Sequence, residues 1–194
     1  MKNKNMNSNI EKITKKILKL RGYKVTGEED NEIFFTRSDS KKGKVVFLEK
    51  EKANVDDIGP IFRELIHDPI HVIIVYSHIT NPALKSFNDD IRHYFKDAEL
   101  IQQNRLLRNI LDHKWNPFDF RKLTKHEKNV VLKNYGDITP DLLPAILPTD
   151  PVSIILGFTS GDVIEVKTFY DFVNKRADRS LVPQIGYQHV RDER

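Results

Sequence analysis

The chain has no cysteine, so neither a disulfide framework nor a thiolate metal site is open to it. An intracellular setting is the expectation that goes with this. Long apolar runs are missing as well. Val72-Ile73-Ile74-Val75-Tyr76 is typical of the longest, far short of the roughly 20 residues a membrane-spanning helix needs, so no membrane contact is expected. The opening Met1-Lys2-Asn3-Lys4-Asn5-Met6-Asn7-Ser8-Asn9 lacks the apolar core and cleavage site of a secretory signal and reads as a short disordered tail. There is no glycine-rich phosphate loop, no Gly-x-Ser-x-Gly elbow and no nucleophile with a recognisable partner. Nor is there a strong charge asymmetry: 20 basic and 17 acidic residues precede or include Asp112, and 12 and 11 follow it, for a net +4. A module that grips a duplex by itself concentrates its excess charge. This balance suits occasional phosphate contacts instead.

What is present reads as α/β, or α+β overall. At 194 residues the chain forms one medium domain or two small ones. Ile10, Ile13, Ile17 and Leu20 share one side of a helix capped by Ser8 or Asn9 and ending near Gly22, with Lys12, Lys15, Lys16 and Lys19 opposite. The lysine side reads either as a solvated face or as a surface for a polyanion. Glu32 to Arg37 and Lys44 to Glu49 read as a hairpin around the Ser38–Gly43 turn. Ile58, Phe62, Leu65 and Ile66 predict a helix whose start at Asp56 or Asp57 leaves Pro60 in the first turn. Pro69 to Ser77 is continuous and β-branched, as befits a strand buried on both faces at the centre of a sheet. Thr80 or Asn81 then caps a helix opened by Pro82 and running to about Phe95. Ala98 to Ile101 and Leu106 to Leu111 read as short runs finishing that sheet.

A joint is expected at 112–118, dividing an N-terminal domain, 1–112, from a C-terminal one, 113–194. Beyond it, Thr124-Lys125-His126-Glu127 is a capping box for a helix ended by Gly136. Asp150-Pro151 caps and opens a short helix, and Gly157 ends it. Ser160-Gly161-Asp162 turns into a strand expected to pack Ile164 and Val166 and to leave Glu165 and Lys167 wet.

Seven histidines raise the question of a metal. His67 and His71 are separated by Pro69 and cannot share a helical face. His113 and His126 straddle the joint with no carboxylate placed to complete a set. No metal and no cofactor are expected. A Mg²⁺-dependent nuclease would want an acid followed by acid-x-Lys, and Asp39-Ser40-Lys41, Asp112-His113-Lys114 and Glu165-Val166-Lys167 have the triplet. The first is a turn, the second a joint, the third an alternating strand, and triplets so short arise by chance.

The order Leu143-Pro144-x-Ile146, Asp150-Pro151-Val152, then Gly157-x-x-x-Gly161-Asp162-Val163 and a short β run resembles the assembly domain of the fifth-largest subunit of eukaryotic RNA polymerases and of its archaeal counterpart. Arg21-Gly22-Tyr23-x-Val25-Thr26 is similar to a motif early in that family's jaw domain. Thr80-Asn81-Pro82-Ala83 sits where the family has a Thr-Pro-Ser-Ala-like loop, with proline displaced by one and serine absent. His113 and Pro117 keep the spacing that opens the family's assembly domain. Ala145 replaces a basic residue, and 168–183 is longer than the family's turn.

The resemblance implies a non-catalytic subunit of a multisubunit DNA-directed RNA polymerase. It implies a jaw domain over 1–112, with Thr80, Asn81, Pro82, Ala83 and Lys85 near downstream double-stranded DNA. It also implies an assembly domain over 113–194, with Leu143, Pro144, Ile146, Asp150, Pro151, Val152, Gly157, Gly161, Asp162 and Val163 meeting the largest subunit. The family's first domain has a nuclease-like architecture without the catalytic residues. Divergence together with a Lys-, Asn- and Ile-rich composition points to a large DNA virus as the source, with a virion or viral factory as location, the nucleus being expected for a cellular enzyme. The competing readings are a stand-alone DNA-binding or transcription-accessory protein and a nuclease acting through Glu165 and Lys167.

Overall fold

The computed structural model describes residues 2–37, 39–95, 97–107, 111, 116–171, 174 and 176–192, with the side chains of 2–8 left aside. The joint residues Asp112, His113, Lys114 and Trp115, and Lys175, lie outside these. The chain divides into two compact units, residues 1–108 and 109–194, each taken by itself.

In the first unit α1 (Lys2–Leu20) is already helical at Lys2 rather than capped at Ser8 or Asn9. Its buried stripe is Ile10, Thr14, Ile17 and Leu18, while Leu20 is exposed. Thr14 sits in the stripe at no polar cost because its hydroxyl donates to the Ile10 carbonyl at 2.8 Å. Strands β1 (Lys24–Glu29), β2 (Glu32–Thr36) and β3 (Lys42–Phe47) form an antiparallel meander. The two-residue strand β4 (Lys52–Ala53) leads into α2 (Val55–His67).

That helix starts one or two residues earlier than expected. Asn54 is the cap, its side chain accepting from the Asp57 N–H while the Asp57 carboxylate accepts from the Asn54 N–H, and Pro60 falls in the second turn. The buried residues are Ile58, Ile61 and Leu65, with Ile66 exposed. β5 (His71–Tyr76), β6 (His78–Ile79), α3 (Asn81–Ser86), a π-turn over Phe87–Ile91, α4 (Arg92–Tyr94), β7 (Glu99–Gln102) and α5 (Gln103–Leu106) complete the unit.

The sheet order is β1-β2-β3-β5-β7, with β3, β5 and β7 parallel. β5 therefore has a neighbour on each edge and is buried on both faces, as its unbroken apolar run demands. One face, through Val46, Val72 and Ile74, packs on Ile58, Ile61 and Leu65 of α2 and on Ala83, Phe87 and Ile91. The α1 helix packs against β1 and α5.

Two buried cations interrupt this core. Lys44 is 3% exposed, with Nζ 3.1 Å from Glu32 and 2.7 Å from both Glu64 oxygens. Burial opposes its charge, but hydrogen bonds to Glu64 and Glu32 outweigh it and raise the ammonium pKa. Arg21, its side chain 1% exposed, makes a bidentate pair with Glu99 at 2.9 and 3.0 Å. His71 Nε2 lies 2.9 Å from the same carboxylate, and Arg37 faces Nδ1 at 3.5 Å. Since a guanidinium only donates, Nδ1 is the acceptor and Nε2 carries the proton given to Glu99.

The second unit holds β8 (Phe118–Lys122), α6 (Lys125–Asn134), a 3₁₀ turn at Pro140–Leu142, β9 (Ala145–Ile146) and α7 (Pro151–Leu156). It continues through β10 (Val163–Thr168), the small pair β11 (Tyr170–Asp171) and β12 (Arg176–Ala177), and β13 (Gln184–Val190). The sheet order is β8-β10-β13-β9. Ile164 and Val190 pack on Val152 and Phe158, and Val163 packs on Leu123 and Leu143.

The expected wet face of β10 is thus covered at Val163 and Glu165, which corrects the expectation for Glu165, while the Lys167 side chain stays 43% exposed. Glu165 is 9% exposed, because α6 residues Val131 and Leu132, with Tyr187, close over that side. Arg121 meets its carboxylate at 3.3 and 3.4 Å.

Candidate functional site

The stretch around Thr80 is built by two loops pinned side by side. β4 and β6 pair in parallel, and Thr80 donates its N–H to the Ala53 carbonyl at 3.0 Å. This sets the start of α3 beside the start of α2. The Thr80 hydroxyl accepts from the Ala83 N–H at 3.4 Å, and Pro82 falls where a missing donor costs nothing. The two helix starts border an open groove of about 600 Å³ lined by Lys52, Asn54, Asp56, Thr80, Asn81 and Pro82 among others. Of the five residues singled out here, Asn81, Pro82 and Lys85 are exposed and Thr80 is half-buried, whereas Ala83 is fully buried in the core. Ala83 is thus closed to any outside partner, and the exposed groups of this loop include Asn81, Pro82 and Lys85.

In the second unit the motif residues fall close together but do two jobs. Leu143, Val152 and Val163 are core residues. Pro144, Pro151 and Gly161 are exposed, and Ile146, Asp150, Gly157 and Asp162 are half-buried. Asp150 accepts from the Val152 N–H at 2.8 Å, and Gly157 ends α7 at φ 70°. Asp162 accepts from the Thr159 N–H and hydroxyl at 2.9 and 3.1 Å and pairs with Lys122 at 2.8 Å. Gly161 turns at φ 92°. His189 supports the Leu143–Ile146 segment: its N–H donates to Pro144 at 2.9 Å, and its ring lies 3.4 Å from Asp141. Burial lowers the imidazole pKa, against a smaller opposing effect of Asp141.

Asp150 makes a direct test of how the cap holds this surface. Replacing it by alanine orphans the Val152 N–H and is expected to cost about 1 kcal/mol, read as faster hydrogen exchange in β10 and β13. An unchanged rate means the cap contributes nothing there.

Two contributors to the second unit carried little sequence signal. Arg121 links β8 to β10 and α6, its guanidinium reaching Glu127 at 2.8 Å as well as Glu165. The Thr124 backbone N–H, then Arg121, hold the Glu127 carboxyl at about 2. Only the capping-box spacing pointed to Glu127, and nothing in the sequence pointed to Arg121. Asp119 bonds Arg179 at 2.9 Å, which fastens the long 168–183 segment. Among the described residues, no group of three His, Asp or Glu side chains is placed to hold a metal ion, and no helix is long and apolar enough to cross a membrane.

Residues 108–170 match the family model described as RNA polymerase Rpb5, C-terminal domain. The chain is 44% identical over 59 residues to DNA-directed RNA polymerase subunit Rpo5 of Thermococcus kodakarensis, a match covering 30% of this chain and 70% of that protein. It is 42% identical over 59 residues to the Rpo5 subunits of Pyrococcus horikoshii and Pyrococcus abyssi, with the same coverage. The family model spans α7, Gly157, Gly161 and β10, where the cap, the left-handed glycine and the turn were found. The chain belongs to the Rpb5/Rpo5 family, the non-catalytic subunits of DNA-directed RNA polymerases.

Proposed function

We propose that the chain works inside a multisubunit RNA polymerase, its C-terminal unit docking on the largest subunit and its N-terminal unit forming part of the lower jaw beside downstream DNA. The observation that carries the subunit reading is the match over 108–170, which coincides with the α7–Gly157–Gly161–β10 arrangement; the jaw role rests on the exposed start of α3 alone. In this reading the exposed Pro144, Pro151 and Gly161 and the half-buried Ile146, Asp150 and Asp162 present the docking surface, while Leu143, Val152 and Val163 hold it in shape.

The start of α3, with Asn81, Pro82 and Lys85 exposed, meets phosphates. Such contacts position a duplex without reading its sequence and weaken as salt rises. Nucleotide addition belongs to the large subunits. The place of work is wherever that polymerase transcribes: a virion or viral factory for a viral enzyme, the nucleus for a nuclear one.

The test is purification of the tagged chain from its source through a high-salt wash, followed by mass spectrometry. Two very large polymerase subunits are expected in equal amounts. Recovery of the chain alone overturns the assembly role and favours the accessory or nuclease readings, which tight DNA binding and Mg²⁺-dependent cleavage then separate.

A further inference from the structure

Strand β8 lies at the edge of its sheet, and its ladder fixes which backbone groups face outward. Leu123 donates to Val163 and Phe169 donates to Pro117. With the register Arg121↔Glu165 and Asp119↔Lys167, the odd-numbered residues bond inward to β10. Phe118, Phe120 and Lys122 therefore turn their N–H and C=O groups outward.

The Phe118 pair is already taken. Asn116 Nδ2 donates to the Phe118 carbonyl at 3.1 Å, and its Oδ1 accepts from the Phe118 N–H at 3.0 Å, so one amide side chain occupies the place of a neighbouring strand. The Phe120 and Lys122 groups have no such partner among the described residues.

Other edges are guarded or short. β1 carries a register shift between Val25 and Gly27, β9 has two residues and β7 has four. β8 keeps a regular register over five residues, without proline or bulge, and the charges that could guard its edge are paired within the chain: Asp119 with Arg179, Arg121 with Glu127 and Glu165, and Lys122 with Asp162. On the face that Phe120 buries, the Phe118 ring is 39% exposed and 6.0 Å from the Phe120 ring.

We propose that β8 receives an added β-strand from another polypeptide of the polymerase, an extended segment with apolar side chains at alternate positions. This rests on the subunit reading above. Backbone pairing to Phe120 and Lys122 holds the segment, its apolar residues lie against Phe118 and Phe120, and Asn116 marks where the pairing stops. The residue opposite Arg121 is uncharged, because the guanidinium already lies between Glu127 and Glu165.

A second copy of this chain fits less well. Two-fold pairing centred on Arg121 or Lys122 sets like charges directly opposite. Centred on Phe120, it needs the Phe118 groups that Asn116 holds.

The experiment compares Lys122→Pro with Lys122→Ala in the tagged chain, and follows amide exchange in the wild-type chain, free and in the purified polymerase. Proline at an outward-facing position removes only the edge donor, and alanine controls for the lost pair with Asp162. Retention of the polymerase is expected to fall on the order of tenfold for proline relative to alanine. The Phe120 and Lys122 amides are expected to slow by about 100-fold on assembly, while those of Asp119 and Arg121 are slow in both states. An assembled chain in which the Phe120 and Lys122 amides stay fast overturns the added strand and leaves the subunit reading standing. A wild-type chain that retains no polymerase overturns both. Protection that appears in the isolated chain as its concentration rises overturns the proposal in favour of a second copy.

Discussion

Replacing Glu99 by glutamine is expected to destabilise the N-terminal unit by about 3–5 kcal/mol, because it removes the carboxylate charge that the Arg21 guanidinium meets at both terminal nitrogens. The Arg21 side chain is 1% exposed and donates two hydrogen bonds to this carboxylate, which His71 also meets. Burial alone would raise the Glu99 pKa. The Arg21 charge and the His71 contact outweigh it and hold the pKa at about 2, from an ordinary 4.5. The unfolded chain then binds the extra proton between pH 4.5 and about 2. The stability is fully present above pH 4.5 and is lost as pH falls through about 2. From that interval the carboxylate contributes about 3 kcal/mol at neutral pH. Native-state hydrogen exchange of the β5 amides, recorded from pH 7 downward, measures it. The gap between wild type and Glu99→Gln should close as the acid limb is reached. A gap independent of pH refutes the electrostatic cause.

Gly43→Ala is expected to act through crowding alone. A Cβ there would stand 2.5 and 2.6 Å from the Phe35 ring and 2.7 Å from the His71 carbonyl oxygen. Neither neighbour yields easily. Phe35 is 1% exposed and stacked on Tyr23 at 5.1 Å, and the carbonyl belongs to β5, the parallel partner of β3 at this position. Overpacking of this kind costs about 1–3 kcal/mol, which in a unit of this size lowers the thermal midpoint by on the order of 10 °C. Gly27→Ala in the same sheet meets nothing closer than 3.8 Å and should leave the midpoint nearly unchanged. If both variants melt alike, the close approach over Gly43 is not what that glycine is for.

Much of the fold was legible where a local rule has a single solution. Thr124 with Glu127, Asp150-Pro151, Gly157 and the run through β5 each predicted an element that is present. The hairpin and the α/β class followed from patterning. What escaped was decided by tertiary contact. β1, with the sequence Lys-Val-Thr-Gly-Glu-Glu, has no apolar alternation, since an edge strand with a bulge needs little. Asn54 and Asp57 form a capping box written with aspartate in place of glutamate, so the start of α2 was read late. Lys44 and Glu165, which are buried, and the half-buried Glu99 look solvent-bound in sequence, and only partners 12 to 78 residues away withdraw them from water. At the candidate sites the motif residues were found, but spacing could not separate Leu143, Val152 and Val163, which face the core, from their exposed neighbours. The outward groups of β8 were invisible because backbone polarity has no letter in the sequence.

The Arg21–Glu99 pair also sets an order of events on the ribosome. Its members are 78 residues apart, and translation at about 5–20 residues per second separates their synthesis by about 4–16 s. The meander of β1 to β3 is complete early, its contacts all local. The guanidinium at the end of α1 waits for the last strand of the sheet, so in the nascent N-terminal unit this ion pair can form only when β7 arrives.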